Sequence, residues 1–237
     1  MQKLETLKQW IEQSESIVFF GGAGVSTESG IPDFRSVDGL YSQKFEFPPE
    51  KIISRDFMEN DPAYFFRFYK EKMMPMGYSP NVTHYYLAQL EAQGKLTAVI
   101  TQNIDGLHQM AGSKTVFELH GSIDRNYCTV CGKQYSAAYV KESSGVPRCT
   151  CGGMIRPDVV LYGERLNNDT VEAATEAIED ADMLIVGGTS LTVYPAAGLI
   201  RYYGGDRLVL INRDTTPYDS MADLVFHDSL GNVFSRL

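Results

Sequence analysis

An α/β fold is predicted by four short apolar runs, at residues 17–20, 98–100, 183–186 and 208–211, each ending in small or polar residues. Helix-patterned segments precede several of these runs. Near-continuous apolar strands alternating with helices form a parallel sheet covered on both faces. In such sheets ligands bind beyond the carboxyl ends of the strands. Those ends carry Gly21-Gly22-Ala23-Gly24, Thr101-Gln102-Asn103, Gly187-Gly188-Thr189-Ser190 and Asn212-Arg213-Asp214.

The first helix is predicted over 3–14, with Leu4, Leu7, Trp10 and Ile11 on one face. Strand 17–20 follows and runs straight into the glycines. Residues 32–80 break the alternation. They are rich in aromatics and proline, including Pro48-Pro49 and Tyr64-Phe65-Phe66-Arg67-Phe68-Tyr69, and predict a small helical module. A helix over 82–93 opens at Asn81, a favoured capping residue, and leads to strand 98–100. The apolar run Val116-Phe117-Glu118-Leu119 then precedes His120 and Gly121. Residues 121–156 contain every cysteine and form the second interruption. A helix over 171–181, opened by Asp169 or Thr170, precedes strand 183–186, and strand 208–211 ends the pattern. We therefore expect one domain over 1–237 with a large lobe from about 1–31, 81–120 and 157–237. The insertions 32–80 (helical) and 121–156 (zinc-binding) would build a smaller lobe.

The chain of 237 residues is long enough to bury a core without disulfide staples. Its 21 Lys+Arg stand against 30 Asp+Glu, a net charge of −9. That balance argues against a nucleic-acid partner, because neutralising phosphates needs a local surplus of cations. The N-terminus has no apolar core of signal-peptide length, and no segment reaches the roughly 20 apolar residues of a membrane span. A cytoplasmic protein with no membrane partner is expected.

Four clusters bear chemistry. Gly22 and Gly24, between a strand and an expected helix, let a backbone approach a pyrophosphate while helix N–H groups face its charge. Thr27 stands where a third glycine would complete the dinucleotide fingerprint, so a plain tight turn explains the loop equally well. The second cluster, Cys128-x2-Cys131-x17-Cys149-x1-Cys151, has paired thiols at short spacing with glycine close behind. Four thiolates fill a tetrahedral Zn²⁺ and leave no open position, so the role would be structural. The alternatives are a metal-free cluster or a disulfide pair. In the third, residues 101–108, amide and carboxylate groups at a strand end either orient a polar ligand or cap the next helix through an Asx turn. The fourth is His120, whose imidazole suits a general base near neutrality. One of four histidines placed before a turn is structural as readily as catalytic. Neither a G-x-S-x-G elbow nor HExxH occurs.

Read in order, these clusters resemble the sirtuins, NAD-dependent protein-lysine deacylases, and most resemble a bacterial-type single-domain member. Gly22-Ala23-Gly24-Val25-Ser26-Thr27-Glu28-Ser29-Gly30-Ile31-Pro32-Asp33-Phe34-Arg35-Ser36 is similar to the family's cofactor loop, with Val25 for the commoner Ile. Residues 101–108 and His120-Gly121-Ser122 match two further motifs, and Gly188-Thr189-Ser190-Leu191 and Ile211-Asn212 match distal NAD contacts. The resemblance implies NAD as co-substrate and one structural zinc on Cys128, Cys131, Cys149 and Cys151. It places Gly22, Ala23, Gly24, Thr27, Phe34 and Arg35 around the phosphates and nicotinamide ribose, with Gln102 on the ribose hydroxyls. Asn103, Ile104 and Asp105 would form the nicotinamide pocket. Gly188, Thr189, Ser190, Asn212 and Leu230 would hold the rest of the ADP-ribose. An acetyl-lysine peptide would pair as an added strand between 159–163 and 191–194, touching Val159, Val160, Tyr162, Gly163 and Val193.

The implied reaction yields nicotinamide, O-acetyl-ADP-ribose and free lysine, with His120 and Asn103 as catalytic residues. His120 must be neutral to take a proton from a ribose hydroxyl, so activity should fall below about pH 6.5. Family members that remove acidic acyl groups carry Tyr-x-x-Arg. Here the alignment places Tyr69 and Lys72, whereas Tyr64 and Arg67 fit in another register. Lys lacks the bidentate fork of Arg, so acetyl should be favoured over succinyl. Tyr162 replaces a common Phe. Longer-chain or acidic deacylation and mono-ADP-ribosyl transfer are the alternatives, and a monomer is implied.

Overall fold

The chain folds around a strand with no solvent-facing side. Strand β1 (Ile17–Gly21) is buried along its whole length, and it pairs in parallel with β2 (Leu96–Thr101) on one side. The computed structural model describes residues 2–34, 39–74 and 76–237. On the other side of β1 lies β7 (Met183–Gly187), also parallel. With β3 (Val116–Glu118), β8 (Leu208–Ile211) and β9 (Leu224–Phe226) the sheet has the order β3-β2-β1-β7-β8-β9. Every pairing in it is parallel.

Successive residues of these strands serve opposite faces, because side chains alternate across a pleated sheet. Val18, Phe20, Ile100, Leu184 and Val186 join one core with Ala174 and Ile178 of helix α8 (Asn168–Glu179). Ile17, Phe19, Val99, Met183 and Ile185 join the other with Leu7 and Ile11 of α1 (Gln2–Gln13) and Leu87 and Leu90 of α5 (Val82–Ala92). Both faces being covered explains why the strands read as unbroken apolar runs. Chain order reverses between β1 and β7, which makes their carboxyl ends the switch point where α/β sheets bind ligands.

Helix starts follow the expected caps at one place and differ at another. Helix α5 starts at its predicted cap, where the Asn81 carboxamide accepts from Thr83 N–H at 2.9 Å. Helix α8 starts earlier than predicted, because Asn167 rather than Asp169 or Thr170 caps it, accepting the Thr170 N–H at 2.9 Å and its hydroxyl at 3.2 Å. It ends at Glu179, short of the predicted Ala181.

Residues 49–73 are helical: α2 (Pro49–Ile52), α3 (Arg55–Asn60), α4 (Pro62–Phe68) and a π turn at Tyr69–Met73. The cysteine-bearing segment is a three-stranded antiparallel sheet ordered β5-β4-β6. Its strands are β4 (Gly121–Cys128), β5 (Gln134–Tyr135) and β6 (Ile155–Val159), with α7 (Ala137–Glu142) against it. These two pieces share one core, in which Phe65, Phe66 and Tyr69 meet Ile123, Val140, Cys149 and Ile155. The remaining helices are α6 (Leu107–Ala111) and α9 (Leu230–Phe234). Among the described residues no helix is long and apolar enough to cross a membrane.

Candidate active site

A cleft of about 780 Å³ opens at the carboxyl ends of the central strands, between the large sheet and the helical and cysteine-bearing pieces. Gly22, Ala23, Gly24, Thr27, Phe34, Gln102, Asn103, Ile104, Asp105 and His120 all line it. So do Gly188, Thr189, Ser190, Asn212 and Leu230, and the expected peptide contacts Val159, Val160, Tyr162, Gly163 and Val193. Arg35 lies outside the described residues.

No α-helix follows β1, contrary to the helix N-terminus expected for a phosphate. Two 3-10 turns, Ala23–Val25 and Thr27–Ser29, take its place. The glycines also carry a packing task. Gly24 N–H donates to the Gly188 carbonyl at 2.8 Å. A Cβ on Gly24 would stand 2.7 Å from the Gly188 Cα, and one on Gly188, at φ +60°, 2.5 Å from the Val25 nitrogen. The loops after β1 and β7 therefore interlock backbone against backbone, which only residues without side chains permit.

On this floor sits a polar network. The Ser26 hydroxyl donates to Asp105 Oδ2 at 2.7 Å, and Asn103 Nδ2 donates to Ser26 Oγ at 3.1 Å. Asp105 Oδ1 accepts the Leu107 N–H at 2.9 Å. Asp105 thus realises both alternatives for this motif: one oxygen closes an Asx turn at the start of α6, the other holds the Ser26 hydroxyl at the cleft. Burial pushes its pKa up, against the opposing pull of the Leu107 and Ser26 hydrogen bonds. Ser26, almost fully buried, is a member of this site that the sequence reading quoted but gave no role. Its position two residues past Gly24 was the available signal.

Gln102 Nε2 donates to the Thr189 hydroxyl at 3.0 Å, joining the ends of β2 and β7 across β1. The Gln102 carbonyl lies 2.9 Å from His120 Nδ1. A carbonyl oxygen only accepts, so Nδ1 carries the proton and Nε2 is left as the basic nitrogen. Burial lowers the His120 pKa below its usual value, with the Gln102 carbonyl pulling the other way. The chain reverses immediately after it: Gly121 has φ +76°, and a Cβ there would collide with the Asp158 carbonyl. Glu28, also given no role beforehand, accepts from Gly231 N–H at 2.8 Å and Ser229 hydroxyl at 3.1 Å. It thereby ties the segment carrying Leu230 to the glycine loop.

The segment expected to face a peptide already has part of its backbone committed. Tyr162 N–H donates to the Ile53 carbonyl at 3.1 Å, and its carbonyl accepts from Arg55 N–H at 2.9 Å. Both main-chain groups of an extended residue point the same way, so Tyr162 offers an added strand its side chain and not its backbone. Tyr69 is 1% exposed and packs among Phe65 and Phe66, away from the cleft, whereas Lys72 lines it. Tyr64 and Arg67 pair with each other, the guanidinium 4.5 Å from the ring centroid, and neither lines the cleft. Neither register brings a Tyr and an Arg to the cleft together.

The four cysteines converge at the end of β4 and the turn before β6, their sulfurs all within 4.8 Å of one another. Separations of 3.4 Å for Cys128–Cys151 and 3.6 Å for Cys131–Cys149 exclude disulfides, whose sulfurs are about 2.05 Å apart. Four thiolates about 2.3 Å from a Zn²⁺ at tetrahedral angles lie about 3.8 Å from each other, which the cluster matches. The Cys151 N–H and then the Tyr135 hydroxyl hold the Cys149 thiol down at about 5, favouring a thiolate.

The Sir2 family model matches residues 22–195. An NAD-dependent protein deacetylase of Clostridium acetobutylicum is 57% identical, over 100% of this chain and 98% of its own length. One of Staphylococcus aureus is 49% identical, over 99% of this chain and 97% of its own. Among solved structures, a Sir2 with a p53 peptide and NAD+ aligns at TM-score 0.87 and 42% identity, covering 98% of this chain and 96% of that one. A Sir2 variant with deacetylated p53 peptide and 3'-O-acetyl ADP-ribose aligns at TM-score 0.91 and 41% identity, with the same coverage.

Proposed function

The chain belongs to the Sir2 family, and we propose on that premise that its cleft removes acetyl groups from protein lysines with NAD, using His120 as the base. NAD is the co-substrate whose ADP-ribose accepts the acetyl group as nicotinamide leaves; one water is consumed, and the products are nicotinamide, O-acetyl-ADP-ribose and free lysine. The observation that carries the assignment is the His120–Gln102 contact of 2.9 Å, which leaves a neutral imidazole with its basic Nε2 at the cleft.

The remaining roles follow from the network around it. Asn103 and Asp105, held together through Ser26, present an amide and a carboxylate that suit the carboxamide of nicotinamide. Ile104 adds an apolar wall. Gly22, Ala23, Gly24, Thr27 and Phe34, with Arg35, surround the phosphates and proximal ribose in this reading. Gln102, Gly188, Thr189, Ser190, Asn212 and Leu230 receive the rest of the ADP-ribose. Val159, Val160, Tyr162, Gly163 and Val193 face the peptide. Cys128, Cys131, Cys149 and Cys151 hold a structural zinc, which supplies no chemistry to the reaction because four thiolates complete its coordination. Lys72 lines the cleft without the bidentate fork of an Arg, and with Tyr69 turned away this supports acetyl over succinyl as the favoured group.

The same reading carries a monomeric chain in the cytoplasm, with neither nucleic acid nor membrane as partner. The net charge of −9 supports the part about nucleic acid, and among the described residues no helix is long and apolar enough to cross a membrane. The test is nicotinamide release measured with NAD, an acetyl-lysine peptide, or both. Release should require both and fall by about 10²–10⁴-fold in His120→Ala. Full activity in that variant removes His120 from the mechanism, and release from NAD alone points to a glycohydrolase.

A further inference from the structure

The hydroxyls of Tyr41 and Tyr162 lie 3.0 Å apart, linking two walls of the cleft that come from distant parts of the chain. We propose that this phenol pair is a latch through which the cofactor side and the peptide side of the cleft sense each other's occupancy. Tyr41 and Tyr162 are then positioning residues, each acting on the ligand bound by the other's wall. The inference rests on the deacetylase reading.

The two tyrosines are anchored in different ways. Tyr41 lies in the 3-10 turn Leu40–Ser42. Its N–H donates to the Phe34 carbonyl and the Leu40 N–H to the Asp33 carbonyl, both at 2.8 Å, so residues 33–34 and 40–41 form a closed neck. The Tyr41 ring meets the Phe34 ring edge-on at 5.6 Å. Whatever displaces Tyr41 therefore displaces Phe34, which stands on the cofactor side. Tyr162 belongs to the segment after β6. Its backbone is pinned to Ile53 and Arg55. Two residues on, the Glu164 carboxylate is gripped by both terminal nitrogens of Arg156 at 2.7 and 3.0 Å and accepts the Leu161 N–H at 2.9 Å. The backbone of this segment is thus rigid while the phenol reaches out to the other wall.

Such a geometry transmits a state. A peptide seated against Tyr162 fixes where its hydroxyl points, and that hydroxyl is the partner Tyr41 needs to hold Phe34 in place. A solvent-accessible neutral hydrogen bond is worth about two- to tenfold in an equilibrium constant. Thermodynamic linkage requires each ligand to strengthen the other by the same factor. A phenylalanine at either position keeps the ring and removes the contact between the two hydroxyls.

Acetyl-lysine peptide titrated calorimetrically with and without saturating ADP-ribose, which lacks nicotinamide and does not react, measures this coupling. ADP-ribose should tighten peptide binding to the wild-type chain. Tyr41→Phe and Tyr162→Phe should each reduce that tightening about two- to tenfold by the same factor, and the double variant should reduce it no further. Equal tightening in wild type and both single variants overturns the latch. So does a double variant that loses the sum of the two, or a wild type whose peptide affinity ignores ADP-ribose. A lowered melting temperature with unchanged coupling assigns the pair a purely structural part and overturns it too. Nicotinamide release from NAD and acetyl-lysine peptide, assayed on the same wild-type preparation, separates a failure of the latch from a failure of the deacetylase reading.

Discussion

At the scale of single residues, function depends on protons held in buried places. His120 illustrates the point: its sequence position allowed either a base or a structural imidazole, and the Gln102 carbonyl decides between tautomers. Burial disfavours the imidazolium, so the neutral form persists to lower pH than in a free histidine. We predict that the acid limb of kcat/KM has its midpoint below 6.5, later than composition alone led us to expect, and that the base stays competent throughout the neutral range. A pH profile with its midpoint at or above 6.5 contradicts this. Asp105 and Ser26 teach the complementary lesson. The Asp was legible in the motif, but the hydroxyl 2.7 Å from its Oδ2 comes from 79 residues earlier and becomes its neighbour only when β1 and β2 pair.

At the scale of elements, α5 and α6 pack two histidines against each other, His84 and His108, with ring centroids 4.7 Å apart. His84 Nδ1 accepts the Asn81 N–H as part of the α5 cap. His84 Nε2 and both nitrogens of His108 are buried with no hydrogen-bond partner among the described residues. Burial lowers their pKa values to about 4 for His84 and, with His84 itself adding to the effect, about 3 for His108. The sign follows directly. Between those values and 6.5 the unfolded chain binds protons that the folded chain refuses, so stability falls as pH drops below 6.5. Each histidine contributes a slope of about 1.4 kcal/mol per pH unit over that window. Urea unfolding from pH 7 to pH 4.5 should show this decline, and His108→Leu should flatten it. An unchanged slope in that variant means the pair stays neutral in the unfolded chain or is solvated in the folded one. Nothing in the spacing of Asn81 and His84 or of Gly106 and His108 announced this pair, because helix packing brings the rings together.

At the scale of the whole molecule, one core spans both insertions. Cys128 and Cys149 are buried within the cluster that contains Phe65, Phe66 and Tyr69, and Val159 and Leu161 carry that cluster to the cleft wall. Zinc held by the four cysteines would therefore support more than its own ribbon. Its removal would leave thiolates to repel or protonate, loosening the packing under the helical segment and the wall that carries Tyr162. Treatment with a strong chelator should lower the melting temperature and abolish deacetylation, and both should return on adding Zn²⁺. Full activity in protein shown to be metal-free would falsify this structural dependence.

The sequence by itself determined the class of fold, the order of the central strands' apolar runs, the four clustered cysteines that fit a zinc site and the motifs that reveal the family. These are local properties: periodicity, spacing and residue chemistry that survive without knowledge of distant neighbours. Tertiary structure alone decided that Gly24 and Gly188 let two loops interlock, and that 3-10 turns in place of a helix follow β1. It alone turned Tyr69 inward, occupied the backbone of Tyr162 with Ile53 and Arg55, and set the Tyr41 and Tyr162 hydroxyls together. Each of these depends on contacts between segments far apart in the chain, and such contacts leave no period or spacing in the sequence to be read.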